Sequence, residues 1–236
     1  MSTTSRRRRS HREQPKARRR SFRTTGLAIV GAAMMLALGA FLFQGLWSTA
    51  NSLPVATNNV KGSATAPVEI VNWSDFQCGA CKKFVDTIEG QLTAGPIAEG
   101  VVRLVFRHKA FLGEESIQAA AASECAAEQG QFWPYHDRLY AEQSGRNAGT
   151  FSKTNLKRFG AELGLDRASF DACVDDGLAV ARIRAEAQAA DQRGVTKTPT
   201  LFVNGQKIEG VPTWELLRHT IEQSLVIVPS ASGPGL

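Results

Sequence analysis

Asp75-Phe76-Gln77-Cys78-Gly79-Ala80-Cys81-Lys82-Lys83-Phe84 is the stretch from which the rest of the chain can be read. It follows a strand-like run, Val68-Glu69-Ile70-Val71-Asn72-Trp73. It opens a segment with apolar residues at Phe84, Val85, Ile88 and Leu92, the spacing of one helix face. A Cys-x-x-Cys pair at a strand-to-helix turn sets its first sulfur among the unpaired N–H groups of the helix start. There the positive end of the dipole stabilises a thiolate. The second sulfur, one turn in, can close a disulfide with the first. The spacing therefore predicts a dithiol–disulfide site.

Outward from that turn, the helix is expected to run to about Leu92, closed off by Gly95-Pro96. Val101-Val102-Arg103-Leu104-Val105-Phe106 reads as a second strand, giving a βαβ start with parallel strands and a right-handed crossover. From about 114 to 193 the pattern is helical throughout. Ile117, Ala121 and Cys125 share one face, as do Phe132, His136, Leu139 and Tyr140. Leu156, Phe159 and Leu163 form a third such face. Asp166 can cap a short helix that bears Phe170, Cys173 and Val174 and stops near Gly177, before an Ala-rich helix that ends at Gly194. Five helices between strands predict an inserted helical subdomain. Strands then return: Thr200-Leu201-Phe202-Val203 and Gln206-Lys207-Ile208 flank Asn204-Gly205, a type I′ hairpin turn. A final helix starts near Thr213 with Trp214, Leu217 and Ile221 on one face.

The basic character of the chain, +6 overall, is confined to its beginning. Residues 1–25 carry nine Arg, one Lys and one Glu, so the remainder is slightly acidic, and nucleic-acid binding finds no support outside that tail. Residues 26–47 contain no charge. At about 1.5 Å per helical residue they are long enough to cross a hydrocarbon core of roughly 30 Å, with the Arg-rich side held in the cytoplasm. A cleaved signal peptide ending near Ser48-Thr49-Ala50, or a twin-arginine signal at Arg19-Arg20-Ser21-Phe22, are the competing readings. All three predict export. Outside the cytoplasm disulfides persist, so Cys125 and Cys173 are expected to pair rather than remain as buried thiols. The bond would close a loop worth about 4 kcal/mol by the chain-entropy relation.

Taken together, three runs resemble the DsbA-like group of exported thiol–disulfide oxidoreductases, particularly its membrane-tethered members. They are Asp75-Phe76-Gln77-Cys78, Gly130-Gln131-Phe132-Trp133-Pro134-Tyr135-His136-Asp137, and the run from Gly194 to Gly205 that contains Thr198-Pro199. The likeness covers about residues 60–225. It implies a thioredoxin fold with a helical insertion, Cys78 as the attacking sulfur and Cys81 as the resolving thiol. It further implies Pro199 as a cis proline opposite the cysteines and Thr198 as a backbone partner for an extended substrate peptide. Gly79-Ala80 would tune the potential. Members of the wider fold often carry a buried carboxylate six residues before the first Cys; here that place holds Asn72, which cannot act as a base, and the proton-transfer group is unassigned.

Plainer roles compete at several positions. A structural zinc site needs about four ligands, and no second Cys-x-x-Cys or His-x-x-x-His is present, so redox chemistry is favoured at Cys78/Cys81 and no metal is expected. His136 reads as a packed core histidine, His108 is ambiguous just past a strand, and Lys82 and Lys83 read as a solvated helix face. The expected fold class is therefore α/β, a thioredoxin-like fold with an inserted all-helical subdomain, preceded by a single N-terminal transmembrane helix. The expected segments are a basic cytoplasmic tail 1–25, an anchor 26–47 and a linker 48–66. Fold halves at 67–113 and 194–226 flank the insertion 114–193, and a tail follows at 227–236. The expected activity is disulfide introduction into thiol-containing exported proteins by a membrane-anchored, extracytoplasmic monomer with no cofactor. The resemblance implies a quinone-linked integral membrane partner for reoxidation. A reductase or isomerase of the same fold is the alternative, and a non-catalytic peptide-binding factor is the alternative from another class.

Overall fold

A computed structural model describes residues 59–226. The predicted basic tail, anchor and C-terminal tail lie outside these residues. Among the described residues, no helix is long and apolar enough to cross a membrane. The centre is a five-stranded sheet of order β1-β3-β2-β4-β5. β2 (Val68–Ser74) and β3 (Val102–His108) are parallel, with Ile70 opposite Leu104 and Asn72 opposite Phe106. β4 (Thr200–Val203) runs antiparallel to β2, with Trp73 opposite Thr200, and β5 (Gln206–Glu209) closes the hairpin. Asn204 and Gly205 take φ of 45° and 90°, the left-handed pair that a two-residue I′ turn demands.

The alternation of β2 sorts its side chains onto two faces. Val68 and Ile70 join Leu104, Leu201 and Val203 under α1 (79–97) and α7 (Trp214–Val226). Val71 and Trp73 meet Ala190 and Val195 of the opposite layer. That layer is the insertion: α2 (Glu114–Ala127), α3 (Phe132–Glu142), α4 (Lys153–Glu162), α5 (Arg167–Asp176) and α6 (Leu178–Gln192). Asp166 caps α5 by accepting from Ser169 N at 2.9 Å, and Gly177 ends it at φ 73°. The insertion surrounds an aromatic core in which Phe76, Phe106, Phe132, Tyr135 and Tyr140 are each at most 1% exposed.

Three features depart from the sequence reading. The stretch read as linker contributes an edge strand, β1 (Val60–Lys61), antiparallel to β3; two residues are too few to leave a periodic signal. α1 does not stop at Leu92. It continues through wider, five-residue turns at Val85–Glu89 and Thr93–Ile97, and the second of these carries Pro96 inside it. His108 is the last residue of β3 rather than beyond it.

Candidate redox site

The Cys78 turn is fixed chiefly through Asp75, a buried residue that sequence reasoning left without a place. Its Oδ1 accepts from Gln77 N at 2.8 Å and Ser116 Oγ at 2.7 Å, while Oδ2 accepts from Phe111 N at 2.9 Å and Leu112 N at 3.2 Å. Its carbonyl accepts from Cys78 N at 3.0 Å. Gln143, just past α3, donates to the carbonyls of Phe76 and Cys78 at 2.5 and 3.2 Å. The turn is thus hydrogen-bonded to the insertion on both sides. The available sequence signal was an Asp three residues before the N-cap, a position from which a carboxylate can satisfy turn N–H groups.

Cys78 is the N-cap of α1, and Gly79 and Ala80 beside it are exposed. Cys78 as a residue is only 8% exposed, less open than the attacking-sulfur role led us to expect, and Cys81 one turn in is fully buried. Both are free thiols. Cys78 Sγ lies 3.4 Å from the carbonyl oxygen of Thr198, and the Thr198–Pro199 peptide bond is cis. Thr198 and Pro199 are both buried, so the structure brings all four predicted residues of the site to one place. A hydrogen bond from Cys81, then one involving Thr198 and the backbone N–H groups of Cys81 and Ala80, outweigh burial and lower the Cys78 thiol pKa to about 5. Burial, and then the neighbouring Cys78 sulfur, push Cys81 well above its ordinary value. The two thiols are driven apart, one towards thiolate and one towards thiol. Lys82 turns away to Asp86 at 3.4 Å.

Behind Cys81 lies polar chemistry that the sequence reading did not assemble. Ser74 Oγ donates to Asn72 Oδ1 at 3.3 Å, and the Tyr140 hydroxyl donates to the Asp75 carbonyl at 3.5 Å. Asn72 is buried in the place where members of the wider fold often hold a carboxylate, and its Nδ2 has no partner. His136 is fully buried as expected, ringed by Phe106, Trp133 and Tyr140 at 5.1, 5.1 and 4.9 Å. His108 Nε2 meets Glu124 Oε1 at 2.9 Å, and Asn59 donates to the same carboxylate oxygen at 2.5 Å. Cys125 and Cys173 are joined in a disulfide that ties α2 to α5, with a sequence separation of 48.

Residues 55–223 match the family model described as Thioredoxin. The chain belongs to the thioredoxin family. Among its relatives, a Na(+)/H(+) antiporter NhaA 3 of Salinispora tropica is 34% identical over 166 residues, 70% of this chain but 24% of the antiporter. The chain therefore spans about a quarter of the length of such antiporter relatives. A probable disulfide bond formation protein D of Bacillus anthracis is 27% identical over 174 residues, 72% of this chain and 79% of that one. Oxidised BdbD of Bacillus subtilis superposes with a TM-score of 0.67 at 24% identity, covering 71% of this chain and 92% of BdbD. The thioredoxin-like fold with a helical insertion is thus the fold of this chain and of its DsbA-type structural neighbours.

Proposed function

We propose that this chain is an exported, membrane-anchored thiol–disulfide oxidoreductase that introduces disulfides into thiol-containing exported proteins. Cys78 is the attacking and attacked sulfur, and Cys81 resolves the mixed disulfide. Thr198 and Pro199 flank the bound substrate strand. The observation that carries the reading is the split pair: Cys78 lowered to about 5 at a helix start, with Cys81 held as a buried thiol three residues on. A stabilised Cys78 thiolate stabilises the reduced form, which makes the disulfide a stronger oxidant. The similarity to disulfide bond formation proteins supports the same direction. Electrons collected at the site then pass to a quinone-linked integral membrane partner. The uncharged run 26–47 anchors the monomer with its N-terminus in the cytoplasm and its redox domain outside.

Equilibrating the full-length chain in glutathione buffers tests the direction. A potential near about −120 mV supports the oxidase, whereas one near about −270 mV overturns it in favour of a reductase. Protease accessibility of the redox domain in intact cells tests the topology.

A further inference from the structure

The insertion reaches the Cys78 turn through one side chain that the exchange scheme above leaves unused. α3 is anchored by its buried face, which carries Phe132, Tyr135, His136, Leu139 and Tyr140, and Tyr135 Oη donates to the Leu156 carbonyl at 2.9 Å. That anchoring delivers the end of α3 to the turn. The Tyr140 ring packs 5.1 Å from the ring of Phe76. Gln143, three residues on, sends its amide to the carbonyls of Phe76 and Cys78 at 2.5 and 3.2 Å. Both partners are acceptors, so the NH2 end of the amide faces them, and each of its two hydrogens serves one carbonyl.

The two carbonyls flank Gln77, so holding them fixes the peptide plane on either side of that residue. The plane between Cys78 and Gly79 matters most, because its rotation is the ψ angle of Cys78, 117° in this extended N-cap. Just beyond it come the N–H groups of Ala80 and Cys81, which favour the Cys78 thiolate. The Cys78 carbonyl already accepts from Lys82 N at 3.0 Å, at the start of α1. Gln143 occupies its second lone pair and so holds the plane from outside the helix. The N–H groups of Gln77 and Cys78 are taken by the carboxylate and the carbonyl of Asp75. Asp75 therefore holds the N–H side of the turn, and Gln143 holds its carbonyl side.

We infer that Gln143 is a positioning residue of the redox site: by bridging the Phe76 and Cys78 carbonyls it keeps Cys78 in the N-cap geometry that sets its sulfur at the start of α1. The oxidising strength of a pair that lies in the thioredoxin half is then set partly from the insertion. This rests on the exchange reading above. In that reading, reduction by glutathione breaks the Cys78–Cys81 bond and joins two glutathione thiols as a disulfide. The two electrons leave Cys78 as thiolate and Cys81 as thiol; of the two protons released, one is on Cys81 and the other is in solvent. Without Gln143 the donors around Cys78 lose their aim. That costs the thiolate more than it costs the uncharged disulfide, so the balance moves towards the disulfide and the pair becomes a weaker oxidant.

The test is Gln143→Met in the full-length chain, which keeps the length of the side chain and removes both donors. The Cys78 titration is read by thiolate absorbance. The redox state of Cys78 in glutathione buffers is read by alkylation and mass spectrometry. The acid dissociation constant of Cys78 and the equilibrium constant for its reduction should both fall about tenfold, the size of one lost hydrogen bond and about 30 mV for a two-electron couple. A merely structural Gln143 would weaken oxidised and reduced protein alike, and a loss common to both cancels in these constants. Gly160→Ala is the control, since it crowds Phe170 between α4 and α5 and leaves the turn alone. It should lower the melting temperature and leave both constants in place. Gln143→Met constants equal to those of the wild type overturn the positioning role alone, as does an equal shift in Gly160→Ala. A wild-type pair that does not exchange with glutathione overturns the exchange reading and the role with it. If Gln143→Met does not fold, Gln143→Asn decides. One methylene shorter, it draws the amide back from the carbonyls, so both constants should again fall; unmoved constants overturn the role.

Discussion

The molecule holds two cysteine pairs, made of the same atoms and separated mainly by their surroundings. Cys78 and Cys81 sit three residues apart at a helix start, in a turn fixed by Asp75 and Gln143, with donors aimed at one sulfur and none of comparable effect at the other. Cys125 and Cys173 lie 48 apart on α2 and α5, and Cys125 is 1% exposed in the aromatic core of the insertion. Cys173, by contrast, is only half-buried, with its sulfur 3.9 Å from the Glu128 carboxylate, so this bond is open at one end but has no helix-start N–H groups at its sulfurs. Burial does not separate the two pairs; position at a helix start and the donors around one sulfur do.

The comparison can be broken most directly by exchanging which pair matters. Cys78→Ser should reduce oxidation of a reduced, unfolded protein substrate to the uncatalysed background. Near neutral pH its melting temperature should fall below that of the reduced wild type, because serine cannot supply the thiolate's contribution; residual turnover would shift the active sulfur elsewhere. Replacing Cys125 and Cys173 together by Ala should cost up to about 4 kcal/mol in urea unfolding. The rate per folded molecule should be unchanged, and a lost rate would show the two pairs to be coupled.

Smaller effects sharpen the picture of how the insertion is held. The bond to Glu124, working against desolvation, raises the His108 pKa, and the same bond lowers that of Glu124. The stabilisation is therefore present between the two, lost as pH rises through the raised histidine value and lost again as it falls through the lowered carboxyl value. His108→Gln should cost about 3 kcal/mol near neutral pH by leaving Glu124 buried beside a neutral partner, and should flatten that dependence in unfolding titrations. A Cβ at Gly160 would lie 2.6 Å from the Phe170 ring, so Gly160→Ala should lose about 2 kcal/mol of stability by overpacking α4 against α5. Last, Cys78 contributes stability to the reduced form only, in full above its unfolded value of 9.0 and lost as pH falls through about 5. The melting gap between reduced and oxidised protein should therefore change by at most about 1.4 kcal/mol per pH unit across that range, in favour of the reduced form as pH rises.

Local rules made much of this legible. Cys78 and Cys81 announced a helix start, Asn204-Gly205 announced the hairpin, and Asp166 and Gly177 bounded α5, because each of those residues acts on its own neighbours. What escaped was decided at long range or by irregular winding. β1 is two residues held by pairing with β3, and Asp75 has partners 36 to 41 residues away. Glu89 left a trace that went unread. It stands four residues after Val85 and three before Leu92, within the apolar stripe, where a charge signals a buried partner rather than a solvated face. His136 was placed correctly in the core, but its partner Glu89 lies on another helix, beyond the reach of any local pattern.

The Cys125–Cys173 bond has a further consequence. On the function proposed above, a newly exported copy would arrive with four thiols, so a donor of disulfides would first be a recipient. If an older copy supplied that bond, each molecule would be made competent by one before it. The population would then be self-propagating, with the rate at which new copies become competent scaling with how many competent copies exist. A cell that exhausted its stock would recover with a lag rather than at once.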